Sequence, residues 1–249
     1  MREDAFENLI AWCPLLERLT LMNFEGFSHL KLKAPNLQFF DIGGDFEDVT
    51  FVDTKVLSIV SIGLYISVES DFSARQKGTS NLLKFFSCLH HIQRLEVQSY
   101  FLKYLALGNV PARLPVKYLE LNYLSMRINF NDTKENKAAC CLFRSSPNLT
   151  ELEMLALPDD ESNARLGSKF WEENNHIESV FQNLRVVRLA DIAGIRPELD
   201  FMKFLLANAP VLEKLTIKPA SVDGEFGLLK ELLRYRRASV QAEVIYLDA

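Results

Sequence analysis

SPNLTELEM, residues 146–154, contains the pattern that decides the fold: an apolar residue, two variable residues, and then an apolar, a variable and an apolar residue. Seven other segments fit this template: CPLLERLTL, APNLQFFDI, DTKVLSIVSI, LHHIQRLEV, RLPVKYLEL, FQNLRVVRL and APVLEKLTI. Their first apolar residues are Leu16, Leu37, Leu57, Ile92, Val116, Leu149, Leu184 and Leu212. A motif that recurs along the whole chain predicts a repeat architecture.

The spacing of these anchors indicates which kind of repeat it is. Successive anchors are 21, 20, 35, 24, 33, 35 and 28 residues apart. Steps of about 20 to 29 residues are typical of leucine-rich repeats, and the longer steps leave room for a helix or a loop. The alternating core, such as Leu19-Thr20-Leu21, predicts a short strand with one buried face. The sequence therefore predicts an α/β leucine-rich-repeat solenoid, or horseshoe, with an inner parallel β-sheet and outer helices and loops.

Helical periodicity occurs between several of the predicted strands. It predicts helices over 79–92, 133–148 and 199–210, a first helix near Asp4, and a last helix over 224–237. Polar runs predict loops over 67–78 and 158–169, and AEVIYLD, 242–248, is the predicted last strand.

Composition limits the function classes. The chain has 249 residues, 48% of them hydrophobic, which is enough to bury a sizeable core, and a net charge of −5 that offers no basic field for nucleic acid. Arg234, Tyr235, Arg236 and Arg237 resemble a phosphate-binding patch, but a solvated helix end explains them better. No run approaches the roughly 18 apolar residues of a membrane helix, and the four cysteines suggest no disulfide framework. We expect no nucleic-acid or membrane partner and a cytoplasmic or nuclear protein.

No motif of a catalytic, cofactor or metal site is present. The phosphate-binding, dinucleotide-binding, zinc-protease and serine-hydrolase patterns are all missing from the sequence. Gly43-Gly44 is interpreted as turn material. Neighbouring residues on a helix point about 100° apart, so His90-His91 and Cys140-Cys141 are each expected to have one buried and one exposed member rather than to hold a metal. We predict a protein that is not an enzyme.

The residue between the two apolar strand positions should face outward in every repeat. This rule gives the row Thr20, Asp41, Ser61, Glu96, Glu120, Glu153, Arg188 and Thr216. Glu96, Glu120 and Glu153 are consecutive in this row. Because neighbouring strands are about 4.8 Å apart, their carboxylates should form a ladder of like charges. The ladder is either a solvated face, relieved by Arg94 and Lys117, or an acidic recognition strip for a basic peptide.

Other residues on the same concave face could supply aromatic and charged anchors. The predicted partner-binding set is Arg18, Phe39, Asp41, Arg94, Glu96, Tyr118, Glu120, Glu151, Glu153, Arg188 and Lys214. No residue is predicted to be catalytic, to bind a cofactor or to hold a metal.

Several phrases resemble one family. CPLLERLTL, APNLQFFDIGG, SPNLTELEM, NAPVLEKLTI and LLKELLRYRRASVQAEVIYLD are similar to the plant F-box/FBD/LRR-repeat proteins, and the last two are similar to the C-terminal FBD region. The likeness extends from Cys13 to Asp248. It divides the chain into a leucine-rich-repeat region, 1–175, and an FBD-like region, 176–249, that continues and caps the same solenoid.

The resemblance implies a substrate-recognition subunit of a Skp-cullin-F-box (SCF) ubiquitin ligase, whose F-box holds the adaptor while the repeats bind the target protein. No segment before Cys13 resembles an F-box, so a Skp-type adaptor is expected as a partner only if an F-box is supplied elsewhere. Two alternatives stay open: a stand-alone scaffold or decoy that recruits no ligase, and a small-molecule receptor.

Overall fold

The computed structural model describes residues 3–65, 81–157, 169–174, 180–221 and 225–248. The chain forms two compact units, Met1–Pro111 and Ala112–Ala249, each built on parallel strands with helices. No helix within the described ranges is long and apolar enough to cross a membrane. The predicted loops over 67–78 and 158–169 fall outside the described residues, except for Lys169.

Within the described residues, the first unit contains four parallel strands and three helices. In chain order they are α1 (Glu3–Ala11), β1 (Arg18–Lys33), β2 (Phe39–Val52), β3 (Ile59–Leu64), α2 (Asn81–Phe86), β4 (Arg94–Ser99) and α3 (Phe101–Leu105). The strands pair in sequence order, and template positions align: Leu19 is opposite Phe40, Phe40 opposite Val60, and Val60 opposite Leu95. The predicted parallel pairing of these repeats is confirmed.

The first two strands are far longer than the short strands predicted. Repeats of 20 and 21 residues have no room for a helix, so the chain returns in extended form, and β1 and β2 stay paired as far as Lys33 and Val52. The β1–β2 register shifts twice between Met22 and Phe27, and Asn23 adopts a φ of 55°, a left-handed conformation that Asn tolerates better than most residues.

The bend is visible in the core of the first unit. Phe40 and Phe51 belong to the same strand, and eleven residues of straight strand would separate them by about 36 Å. Their ring centroids are 5.5 Å apart in an edge-to-face contact. Phe85 packs against Phe51 at 5.9 Å and against Phe101 at 5.1 Å, which joins β2 to α2 and α3. In the first repeats, therefore, the extended ends of the strands cover the buried side of the sheet, whereas helices cover it in the later repeats.

The described part of the second unit contains five parallel strands and four helices. They are β5 (Tyr123–Ile128), α4 (Thr133–Ser145), β6 (Glu151–Ala156), α5 (Phe170–Glu173), β7 (Val186–Ile192), α6 (Arg196–Asn208), β8 (Lys214–Pro219), α7 (Glu225–Arg234) and β9 (Glu243–Tyr246). These strands also pair in sequence order. The predicted helices over 133–148 and 199–210 correspond to α4 and α6.

The core of the second unit is centred on Trp171, which is fully buried. Its ring lies 5.0 Å from that of Phe201 and 5.2 Å from that of Phe204 on α6. Its indole N–H donates to Oδ1 of Asn136, 3.1 Å away, and the Asn136 amide donates to the backbone oxygen of Phe130 at 2.8 Å. A buried polar group is tolerated because it is hydrogen-bonded.

Local signals explain where α4 and α6 begin. Asp132 precedes α4, and its carboxylate accepts from the backbone N–H groups of Lys134 and Glu135. Pro197 lies in the first turn of α6, and the Glu198 carboxylate accepts from the backbone N–H groups of Gly194 and Ile195. Side-chain acceptors of this kind satisfy amides that have no partner within the helix.

An asparagine precedes the anchor leucine in three repeats and links it to the repeat before. The side-chain amides of Asn36, Asn148 and Asn183 donate to the backbone oxygens of Pro14, Leu119 and Pro147 at 2.7, 2.8 and 3.0 Å. Each bond satisfies a turn carbonyl of the preceding repeat. The repeated Asn-Leu pair in the sequence therefore has a structural reason.

Candidate functional site

In each unit, the outward face of the strands consists of residues that alternate with the buried apolar ones. In the first unit, the row Thr20, Asp41, Ser61 and Glu96 lies in register across β1 to β4, as predicted. Two residues earlier on the same strands lies the row Arg18, Phe39, Ile59 and Arg94. We call these two rows, with Met22, Gln98 and Tyr65, the first face.

Arg18 and Asp41 are two oppositely charged residues of the first face. The guanidinium carbon of Arg18 lies 4.0 Å from the ring centroid of Phe39, which is directly opposite on β2. Arg18 therefore makes a cation–π contact. Asp41 is partly buried, and among the described residues no cation or side-chain donor lies within bonding distance of its carboxylate.

Ser61 and Gln98 form a polar contact on the same face. The Gln98 amide donates to Oγ of Ser61 at 2.9 Å and reaches an oxygen of Glu96 at 3.5 Å. Ser61 points outward but is only 6% exposed. The expectation that the whole row is solvent-exposed is therefore wrong at Ser61.

Tyr65 was not predicted as part of this face. It follows β3, and its hydroxyl reaches across β2 to the sulfur of Met22 on β1, 3.7 Å away. A Cβ atom at Gly43 would lie 2.3 Å from the Tyr65 hydroxyl oxygen, so only glycine leaves this path open. Gly43 and Gly44 lie within β2, and their interpretation as turn material is wrong. A glycine inside a strand pattern is the signal that could have revealed the crossing.

The second unit corrects the predicted row at one position. Glu120 was placed between Glu96 and Glu153, but it is exposed and lies before β5, which begins at Tyr123. Ser125 is the residue opposite Glu153. The row in this unit is Ser125, Glu153, Arg188 and Thr216, and the row before it is Tyr123, Glu151, Val186 and Lys214. We call these eight residues the second face.

Two overlapping segments fit the template in this region, and only one of them is the strand. The first is anchored at Val116 and the second, LNYLSM, at Leu121. Leu121 is fully buried, whereas Val116 is 51% exposed. With Leu121 as the anchor, the steps on either side become 29 and 28 residues instead of 24 and 33. More even spacing is the sequence signal that favours the correct register.

Tyr118 and the proposed acidic ladder are also corrected. Tyr118 is buried, and its backbone N–H donates to the oxygen of Ser145 at the end of α4. It cannot be the exposed aromatic anchor that was predicted. Without Glu120, the three consecutive carboxylates do not exist, because the register neighbours of Glu153 are Ser125 and Arg188.

Two charges of the second face pair with each other, and a third accepts a hydrogen bond. A guanidinium nitrogen of Arg188 lies 3.3 Å from a carboxylate oxygen of Glu151. The Tyr123 hydroxyl donates to a carboxylate oxygen of Glu153 at 2.9 Å. Lys214 is exposed on β8, with Glu243 opposite it on β9. The second face is thus a mixed-charge surface, not an acidic one.

The histidine and cysteine pairs do not behave as expected. Cys140 and Cys141 are both buried, since α4 is enclosed on most sides, and His90 and His91 are both exposed in a turn after α2. The expectation of one buried and one exposed member is wrong for each pair. Among the described residues, no group of three His, Cys, Asp or Glu side chains could hold a metal ion.

The C-terminal basic stretch makes contacts within the second unit. Arg234 pairs with Glu231 on α7 at 3.1 Å, and the Arg237 guanidinium reaches the backbone oxygen of Ala242 at 3.4 Å. Burial raises the pKa of the Tyr235 hydroxyl above its ordinary value. These contacts support a structural role for the stretch.

Comparison with known proteins agrees with this architecture. The model described as "FBD-associated F-box protein At5g56370, LRR repeats" matches residues 1–154, and the FBD model matches residues 172–217. The F-box/FBD/LRR-repeat protein At1g13570 of Arabidopsis thaliana is 34% identical over 98% of this chain and 59% of its own length. The putative F-box/FBD/LRR-repeat proteins At3g23955 and At2g05300, also of Arabidopsis thaliana, are 24% and 23% identical over 80% and 98% of this chain.

These alignments cover 53% and 61% of the two putative relatives, so the chain spans a little over half the length of the curated relatives it matches. No solved structure matches the chain. The repeat model alone covers more than half of the chain, and the FBD model matches a separate, later segment. The chain belongs to the F-box/FBD/LRR-repeat protein family.

Proposed function

We propose that this chain binds a target protein through the first and second faces of its strands, as the target-recognition part of an SCF-type ubiquitin ligase receptor. One observation carries the proposal: alternate strand residues are fully buried or face outward in both units. Phe40, Val60 and Leu95 are buried in the first unit, and Leu152, Val187 and Leu215 in the second, while the residues between them form the two faces.

The composition of the faces suits protein recognition. They combine arginines, carboxylates and partly exposed aromatic and aliphatic side chains, including Arg18, Phe39, Tyr65 and Arg188. Aromatic residues, Met and Arg are the types enriched in protein interfaces. We assign no catalytic role to any residue.

The family supplies the rest of the proposal. The relatives are named as F-box proteins. In this proposal an F-box would bind a Skp-type adaptor and bring it into the same complex as the target. In this proposal the leucine-rich-repeat region, 1–175, and the FBD-like region, 176–249, act together in target recognition.

Affinity purification of the tagged chain from plant tissue under proteasome blockade, read by mass spectrometry, tests the proposal. The face variant is Asp41→Lys with Glu153→Lys. Glu120→Lys is the matched control, because Glu120 is an exposed carboxylate outside the strand rows. Thermal unfolding of each variant shows whether it is folded.

We expect a protein that is recovered with the unsubstituted chain and with Glu120→Lys, and is lost with the face variant. Recovery that survives the face variant, or is lost with Glu120→Lys, would place the interaction elsewhere. An adaptor and cullin among the recovered proteins would support the ligase part of the proposal, and their absence would favour a stand-alone binding module.

A further inference from the structure

We infer that the partner is bound by the first face, and that the bound segment presents a carboxylate to Arg18 and, beside it, a cationic side chain to Asp41. This inference rests on the proposed function and narrows it. It names one of the two faces and the charge pattern of the segment that fits it.

The two faces differ in how their charges are satisfied. On the second face, Arg188 reaches diagonally across the strands to Glu151, and Glu153 accepts from Tyr123. On the first face, Asp41 is the corresponding diagonal neighbour of Arg18, but Arg18 is stacked on Phe39 instead. Among the described residues, Arg18 and Asp41 make no ion pair with each other or with any other side chain.

The stacking of Arg18 prepares it to bind an anion. A guanidinium stacked on a ring keeps its N–H donors in the plane of the group, where they can bind a carboxylate with two parallel hydrogen bonds. The ring restricts the side chain before binding, so less conformational entropy is lost when the carboxylate arrives. A partner acidic residue therefore fits here.

Asp41 offers the opposite charge in a partly enclosed position. Phe39 is two residues before it on the same face, and Tyr65 crosses the strand two residues after it, at Gly43. A carboxylate between two aromatic rings suits a Lys or Arg side chain, because the ion pair is reinforced by contacts with the rings. Glu96, two strands away in the same row, adds to the negative potential.

The distance between the two rows limits the geometry of the bound segment. Rows two residues apart on a strand are separated by about 6.6 Å. Side chains two apart in an extended segment have the same separation, and residues four apart on a helix are separated by about 6 Å along its axis. Met22 and Tyr65, each 47% exposed, offer an apolar contact next to the charged rows. The segment is therefore a mixed-charge peptide with an apolar side chain.

Panning a displayed library of random 12-residue peptides against the whole chain tests the inference. Enriched peptides are synthesised, and their affinity is measured by fluorescence anisotropy for the unsubstituted chain, Arg18→Glu and Asp41→Lys. Two control variants are measured in the same way, and the first, Lys214→Glu, reverses a charge on the second face. Lys55→Glu reverses a charge outside both faces, in the turn before β3, where the Lys55 side chain is 85% exposed and lies 3.5 Å from the Asp53 carboxylate.

We expect enriched peptides with an acidic and a basic residue two or four positions apart, whose affinity falls at least tenfold with Arg18→Glu or Asp41→Lys. Lys214→Glu and Lys55→Glu should change affinity less than twofold. Each variant must keep the unfolding midpoint of the parent within a few degrees, and Arg18→Gln and Asp41→Asn replace any that does not.

Enriched peptides of a single charge sign, or peptides sensitive to Lys214→Glu and not to the first-face variants, would overturn the inference and leave the proposed function standing. A library that yields no binding peptide would contradict both this inference and the target-binding role on which it rests.

Discussion

Arg188 pairs with Glu151, its diagonal neighbour on β6, although Glu153 is the residue directly opposite it. Glu153 accepts instead from the hydroxyl of Tyr123 on β5. The charges of the second face are therefore partly satisfied within the sheet. Arg18 and Asp41 have the same diagonal relationship on the first face and do not pair. This difference between equivalent positions distinguishes the two faces.

The Arg188–Glu151 pair should contribute little to stability. Both side chains are more than a third exposed, and exposed pairs are worth about 0 to 1 kcal/mol. We expect Arg188→Gln to lower the free energy of unfolding by less than about 1 kcal/mol. The effect should vanish in 1 M salt, where charges are screened within about 3 Å. Urea denaturation at low and high salt measures this. A decrease in the free energy of unfolding of more than about 2 kcal/mol at both salt concentrations would show that the pair stabilises the fold substantially.

The asparagine links between repeats should each stabilise the fold. Asn148→Ala removes the donor to the backbone oxygen of Leu119, and we expect a loss of about 0.5 to 1.5 kcal/mol in urea denaturation. Asn122→Ala is the control, because Asn122 is exposed and its side chain makes no hydrogen bond within the described residues. Equal effects of the two substitutions would mean that the link contributes nothing.

The predictable part of the fold is the part that repeats. Burial of an alternating apolar strand is a local requirement, so among the described strands the template located β1 to β4 and β6 to β8, but not β5. Helical periodicity located α4 and, with Pro197 and Glu198, α6. The extension and bend of β1 and β2 were not predicted, because they depend on contacts such as that between Phe40 and Phe51. These residues are distant in sequence, and their approach follows from packing.

Gly43 should control the position of Tyr65. In Gly43→Ala the added methyl group would meet the end of a flexible side chain, so we expect Tyr65 to move away from Met22 with a small loss of stability. The chemical shift of the Met22 methyl group, measured by NMR with labelled methionine, is sensitive to the aromatic ring of Tyr65 beside it. Gly43→Ala and Tyr65→Ala should shift this resonance in the same direction. An unchanged resonance in Gly43→Ala would show that the tyrosine does not depend on the glycine.

The cysteines should divide into two classes of reactivity. Burial raises the pKa of the Cys140 thiol to about 11 and that of Cys141 to about 12. Cys13 and Cys88 are exposed. A thiol reagent at pH 8 should modify two cysteines rapidly and the other two only on unfolding, because the thiolate is the reactive form. Rapid modification of all four would contradict the packing of α4.

The same thiols should make stability fall in alkaline solution. Their folded pKa values lie above the ordinary value of 9.0, so above about pH 9 the unfolded chain loses protons that the folded chain keeps. Stability from these groups is complete below pH 9 and decreases as the pH rises toward 11 and 12. Cys140→Ala should weaken this dependence in denaturation experiments between pH 8 and 10.5. A dependence that is identical with and without the thiol would assign it to other groups.

The sequence predicts most of the outward-facing residues of the candidate site, but it does not predict the position of β5. Alternation identified Asp41, Glu96, Glu153 and Arg188 as outward residues, but two overlapping template matches placed Glu120 in a strand that begins only at Tyr123. The apolar alternation does not include Tyr65, because Tyr65 lies after a strand and reaches the face through the space left at Gly43. The glycine within β2 is the sequence signal of this crossing. Pairings such as that of Arg188 with Glu151 depend on rotamers, which a repeat template does not specify.

Site-specific photocrosslinking tests most directly whether the outward faces bind the partner. A benzophenone amino acid is placed at Phe39 on the first face, at Val186 on the second face, or at Leu119, which is exposed outside the strands. The chain is then irradiated in plant extract. We predict that one partner crosslinks from Phe39, little of it from Val186 and none from Leu119. Crosslinking from Leu119 with none from either face would contradict the assignment of target binding to the outward faces of the strands.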